Sequence, residues 1–162
     1  MWYNKGMAKL DFFTVLEEEM DKHFQYDYAF EWDKKNHALE LSFILDVQNQ
    51  AGISLIDEDG QENSQDIAFE DAILFYETGK SRFVSEDFLA TIPFDGKKGL
   101  SREFLAYLAN FLNDTATQGL DDLMDFLADP EAESFELTWN AAVFEEGKAE
   151  LVETDSYPYP RY

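Results

Sequence analysis

The sequence predicts an α+β fold: an antiparallel sheet of about five to seven strands packed against an N-terminal helix and a central helix pair. Three observations carry that expectation. Apolar residues recur at helical spacing near the N-terminus, the period switches to two from residue 26, and helical spacing returns after residue 100 before a strand-like pattern resumes near the C-terminal end. Strands on either side of a helical insert, without regular strand-helix alternation, are the pattern of segregated α+β architecture.

In "KLDFFTVLEEEMDKHF" the residues Phe13, Leu16, Met20 and Phe24 form the helical stripe, widened by Leu10, Phe12 and Val15, while Glu17, Glu18, Glu19 and Lys22 occupy the wet side. Glu18 and Lys22 stand one turn apart and can pair. Then Tyr26, Tyr28, Phe30 and Trp32 alternate with Asp27, Ala29, Glu31 and Asp33. After the polar "KKNH", Leu39, Leu41, Phe43, Leu45 and Val47 alternate with Glu40, Ser42, Ile44 and Asp46. This is an antiparallel hairpin that turns Tyr28, Phe30, Leu41 and Phe43 inward and keeps Asp27 and Glu31 in water. Further strands are expected at 53–56, 72–77 and 88–92.

Ser101 is the expected N-cap of the next helix, with Leu100 and Leu105 as a hydrophobic staple and Phe104, Leu105, Leu108, Phe111 and Leu112 as its stripe. Gly119 breaks the pattern, so a second helix is expected through Leu120, Leu123, Met124 and Leu127, ending at Asp129-Pro130. "SFELTWNAAVFEEGKAELVE" reads as a closing hairpin that turns near Gly147. The expected organisation is a leader or flexible N-terminus at 1–6, a single α+β domain at 7–155, and an extended tail at 156–162, where the prolines of "SYPYPRY" forbid a strand interior.

With 162 residues, 15 Phe, 8 Tyr and 3 Trp, the chain has material for a packed core. The absence of cysteine excludes disulfides, thiolate nucleophiles and zinc-thiolate sites, in keeping with a cytoplasmic location. No stretch combines a basic start with a long apolar run, so neither a secretory signal nor a membrane span is expected. Thirty-five acids against twelve bases give a formal charge of -23. That charge repels phosphate backbones and anionic lipids, and disfavours direct nucleic-acid binding. Residues 113–155 hold many acids and Lys148 as their one base, whereas Lys80, Arg82, Lys97, Lys98 and Arg102 make the one basic island.

Two loops invite a functional reading. "SLIDEDGQENSQDIAFE" surrounds Gly60 with acids, but placing Gly60 at the sixth position of a calcium loop puts Leu55 first and Asp66 last, and extended segments flank it. It reads as a turn, with at most a weak cation site from Asp57, Asp59 and Glu62. "DGKKGLS" is the sharper feature. Gly96, Lys97, Lys98, Gly99 and Ser101, at a helix start, are the candidate contact residues for an anion or a partner. The spacing also matches the glycine-x-x-glycine loop of KH modules, although the preceding "FLATIPF" reads as extended and the overall charge opposes nucleic acid. His23 falls at a helix end and His37 in the first hairpin turn, both with ordinary structural explanations. No nucleophile elbow surrounds a serine, and no catalytic residue, metal ligand or cofactor is assigned.

The segments "MAKLDFFTVLEEEMDKHFQYDYAFEWDKKNHALELSF" and "IPFDGKKGLSREFLAYLANFLND" resemble a family of small acidic proteins from Gram-positive bacteria that is known as a domain of unknown function. The resemblance implies a bacterial cytoplasmic protein and brings no catalytic residues. The expectation is therefore a non-catalytic, acidic module that binds a protein or associates with itself through apolar surface on a helix or strand edge. Two alternatives stand beside it. One is an enzyme or small-molecule binder using the Gly96–Gly99 loop for an anionic ligand, with an acid such as Asp95 as base or metal ligand; the other is an acidic mimic of nucleic acid.

Overall fold

The computed structural model describes residues 10–47, 67–129, 131 and 135–160, and the backbone of 55–56 and 62–63. In chain order the elements are α1 (Phe12–His23), β1 (Asp27–Asp33), β2 (Ala38–Val47), β3 (Leu55–Ile56), β4 (Glu62–Asn63), β5 (Ile67–Glu77), β6 (Ala90–Phe94), β7 (Leu100–Ser101), α2 (Arg102–Ala128), α3 (Ala141–Ala149) and β8 (Ser156–Tyr157). The main sheet has the order β1-β2-β5-β6, and two further pairs, β3-β4 and β7-β8, stand apart from it.

Alternation decides which residues enter the core. Leu39, Leu41, Phe43 and Leu45 of β2, Ile73 and Phe75 of β5, and Ile92 and Phe94 of β6 share the inner face of the sheet. They pack under Phe12, Val15, Leu16 and Met20 of α1 and Phe104, Leu105, Leu108 and Leu112 of α2. Each large apolar side chain removed from water in this way contributes roughly 1.5–3 kcal/mol. The predicted hairpin has Phe30 opposite Leu41 and Tyr28 opposite Phe43. Leu41 and Phe43 are fully buried, Asp27 and Glu31 are exposed, and Tyr28 and Phe30 are half-buried because β1 is the edge of the sheet.

Both long helices are capped as their sequences require. The Asp11 side chain accepts from the Thr14 N–H at 2.9 Å, and Ser101 Oγ accepts from the Phe104 N–H at 3.0 Å. Arg102, at the start of α2, reaches Glu18 at 2.8 Å and Glu19 at 3.3 Å on α1. One cation of the basic island is thus spent on helix pairing.

Four expectations are corrected. The main sheet has four strands where five to seven were expected, and it is mixed, because β6 runs parallel to β5. The connection between them crosses the outer side of the sheet, with Phe83 against Tyr76 at 4.5 Å between centroids, and so brings the chain back to the same end. The strand expected at 88–92 is Ala90–Phe94. The central helix pair is one helix of 27 residues: Gly119 lies inside α2, where a methyl group would collide with the Leu137 side chain, so this glycine permits close packing and does not end a helix. The closing hairpin is replaced by a run without regular secondary structure, 135–140, and the helix α3. Asn140 caps α3 by accepting from the Val143 N–H at 3.2 Å, and Gly147 sits within it against the Tyr107 hydroxyl.

The chain after α3 returns to the core. β8 pairs antiparallel with β7, the Pro158 carbonyl accepts from the Phe12 N–H at 3.0 Å, and Tyr159 is buried with its ring stacked on Phe94.

Candidate functional site

The site begins with two turns tied together. After β1 the chain reverses through Lys34, Lys35, Asn36 and His37, and His37 takes a left-handed backbone conformation with φ 51°. Asn36 donates to the Arg82 carbonyl at 2.7 Å and accepts from the Arg82 N–H at 2.7 Å, which fastens this turn to the one after β5. Ser81 Oγ donates to the His37 carbonyl at 2.9 Å and accepts from the Glu77 N–H at 2.9 Å. Side-chain bonds to backbone thus hold two adjacent loops in one arrangement.

Glu77 closes β5 on its inward-facing side, in step with Ile73 and Phe75, so its carboxylate is carried out of water. Lys80 Nζ lies 3.2 Å from Glu77 Oε2, and His37 Nδ1 lies 3.3 Å from Oε1. The second contact has ion-pair distance without hydrogen-bond alignment, and Nδ1 is buried with no hydrogen-bond partner. Gly96 presses on the carboxylate: a Cβ there would come within 2.7 Å of Glu77 Oε2. The imidazole stacks on Tyr159 at 5.8 Å. These groups edge an open cleft of about 1220 Å³, bounded also by Asp11, Asp95, Lys97 and Pro158.

The candidate loop divides. Gly96 and Lys97 line the cleft, whereas Lys98 is exposed and outside it. Gly99, at φ 70°, lies against the Tyr157 carbonyl where a side chain has no room. Ser101 is buried and also donates to Glu153 Oε1 at 2.6 Å. The loop amides meet a carboxylate of the protein itself: Asp95 Oδ1 accepts from the Lys97 N–H at 2.8 Å and the Lys98 N–H at 3.0 Å. The amides of Lys98 and Lys97, helped by the lysine charges, hold the Asp95 carboxyl below its usual range. Of the residues at this site, the sequence marks His37 only as a residue of the first hairpin turn and Glu77 only as the end of a strand. The signal for His37 was the non-glycine residue closing a hairpin turn. Glu77 carried the signal of an acid on the inward parity of a strand.

A second surface lies on the other side of the sheet. Asp27, Glu31 and Asp33 of β1, Glu40 and Asp46 of β2 and Glu70 of β5 share its outer face by alternation, and Glu31 stands directly opposite Glu40. Burial, followed by the charges of Glu31 and Glu70, raises the Glu40 carboxyl above its usual range. Among the described residues no cation pairs with Glu31, Glu40 or Glu70. Beside them a groove of about 670 Å³ has Ala38 and Leu74 in its floor and Phe83, Val84 and Phe88 in its wall, with Lys34, Lys35 and Arg82 at the turn end.

Gly60, Asp57 and Asp59 lie outside the described residues, as does the side chain of Glu62; the adjoining β3 and β4 pair antiparallel, with Leu55 opposite Asn63 and Ile56 opposite Glu62. Among the described residues no group of three His, Asp or Glu side chains is placed to hold a metal ion, and no helix is long and apolar enough to cross a membrane.

These features define an acidic α+β protein in which two long helices back one face of a four-stranded mixed sheet, while the 78–89 connection crosses part of the other. The model of the family described as "Protein of unknown function (DUF3013)" matches residues 7–161, and the chain belongs to that family. Its structure is similar to the crystal structure of a conserved protein of unknown function from Enterococcus faecalis, with a TM-score of 0.83 and 36% identity over 98% of this chain and 100% of that one. The resemblance to a Gram-positive family of unknown function is thereby borne out. None of the curated proteins matches the chain.

Proposed function

We propose that this protein is a non-catalytic, acidic module that docks another protein on the outer face of its sheet. The observation that carries the reading is Glu31 held opposite Glu40, with Glu70 on the same face and no cation among the described residues to pair with them. Like charges facing each other across strands destabilise a sheet. Their place on this outer face, beside the groove walled by Phe83 and Val84, makes sense where a partner supplies the counter-charge.

Such a partner lays lysine or arginine over the centre of the sheet and an apolar side chain into the groove at Leu74, Phe83 and Val84. Near Lys34, Lys35 and Arg82 it is neutral or acidic. A second copy is a poor fit, since it brings the same acids and a charge of -23.

The test compares proteins retained from a bacterial lysate by the wild-type chain, by the double variant Glu31→Lys/Glu40→Lys and by Phe83→Ser. A defined partner that both variants lose, and whose retention by the wild type weakens as salt rises, supports the reading. Retention indifferent to the charge reversal, or a wild-type chain that sediments as a dimer disrupted by Phe83→Ser, refutes it.

A further inference from the structure

We propose that the cleft between the β1–β2 turn, the end of β5 and the 95–97 loop is a binding site for a small carboxylate. Lys97 and His37 hold the ligand, and Glu77 positions the imidazole. The inference goes beyond the docking surface and does not rest on it, for the cleft lies on the inward side of Glu77 and the docking face is the opposite one.

Three independent observations converge on His37. Its backbone is left-handed, a conformation uncommon outside glycine in which asparagine, aspartate and histidine are the usual exceptions. This conformation at the end of the turn fixes where the imidazole ring stands. That ring has Nδ1 buried beside Glu77 without a hydrogen bond. The imidazole also lines the cleft and keeps about a third of its side chain exposed, at 31%. The carboxylate behind it is nine-tenths buried and seated on Gly96. A buried carboxylate beside one ring nitrogen fixes the orientation of the imidazole, and an imidazole that carries both protons donates from both nitrogens.

The ligand's chemistry follows from which cleft groups are already satisfied. Asp11 is engaged by Thr14, Asp95 by the Lys97 and Lys98 amides, and Glu77 by Lys80 and His37. The three acids therefore have partners within the protein. Lys97 makes no side-chain ion pair or hydrogen bond among the described residues, and it joins His37 and the outward hydrogens of Lys80 as the remaining donors. Unsatisfied donors call for an acceptor. A phosphate would also use the backbone amides of the loop, but Asp95 occupies those. Two or three side-chain donors without an amide cradle suit the two oxygens of a carboxylate. The overall negative charge acts weakly on the ligand beyond about 8 Å at physiological salt.

Binding tightens as pH falls through the imidazole titration. The groups facing His37 are Glu77 and Lys80 at the end of β5, Tyr159 of the tail, Asp95 and Lys97 of the loop, and Asp11 before α1.

The experiment is NMR titration of the full chain with sodium acetate, sodium succinate and inorganic phosphate, following the imidazole nitrogens of His37 and the amides of Gly96 and Lys97. Succinate or acetate is expected to give saturable shifts in these signals and to raise the titration midpoint of His37. Lys97→Ala should weaken binding by about tenfold. His37→Asn, which accepts the same backbone conformation, should abolish the response while far-ultraviolet circular dichroism is unchanged. No saturable shift with either carboxylate, phosphate saturating where they do not, or equal affinity in wild type and both variants overturns the proposal. If either variant fails to fold, the wild-type pH dependence decides alone: affinity that does not rise as His37 protonates overturns it too.

Discussion

Glu40→Gln should make this protein more stable at neutral pH, although it deletes a charged group from a sheet that reads as well formed. Glu40 is directly opposite Glu31 in the β1–β2 register, and burial together with the charges of Glu31 and Glu70 raises its carboxyl. A carboxyl whose folded-state pKa is raised binds its proton more tightly when folded than when unfolded. Between the two values the folded state holds more protons, so stability falls as pH rises through that window and the deficit persists above it. Glutamine mimics the protonated form and removes the deficit. Because the side chain is only half-buried and water screens it, its magnitude is set by the cross-strand like-charge scale, about 0.2–1 kcal/mol. For a chain of this length that corresponds to a rise in Tm of up to about 4 °C. Urea unfolding of wild type and variant near pH 7, near pH 4 and at high salt provides the assay. The advantage should be present at neutral pH, shrink in acid and shrink with salt. A variant no more stable than wild type at neutral pH, or equally favoured at every pH, refutes the account of the sheet face and weakens the docking reading built on it.

Two further outcomes are expected from the core. Phe43 is fully buried with its ring against Phe24 at 5.8 Å, so Phe43→Ala should cost about 3–5 kcal/mol in chemical unfolding; an unchanged midpoint contradicts the assigned inner face. Gly119→Ala should destabilise by about 1–3 kcal/mol despite alanine's better helix propensity, since the new methyl meets Leu137; a gain in thermal stability contradicts that packing.

Sequence periodicity made the β1–β2 hairpin, the α1 stripe and the Ser101 cap legible, because each is written in the spacing of near neighbours. It failed where a residue answers to something distant. Gly119 looks like a helix end until Leu137 lies against it, and Gly147 looks like a hairpin turn until Tyr107 does. The direction of β6 was equally hidden, since one extended run can pair either way until the path of the preceding connection is known.

The candidate site divides along the same line. Composition alone determined that the protein is strongly acidic, lacks thiol chemistry and has one basic island, and those are sums over residues that no fold can alter. Only tertiary structure decided what the island does: Arg102 braces α1, Asp95 takes the loop amides, Lys80 and Lys97 line the inner cleft, and Arg82 lines the outer groove. The pairing of His37 with Glu77, forty residues apart, depends on the register of β5 against β2 and on loop closure. Those are set by the packing of the whole chain, and local sequence carries no record of them.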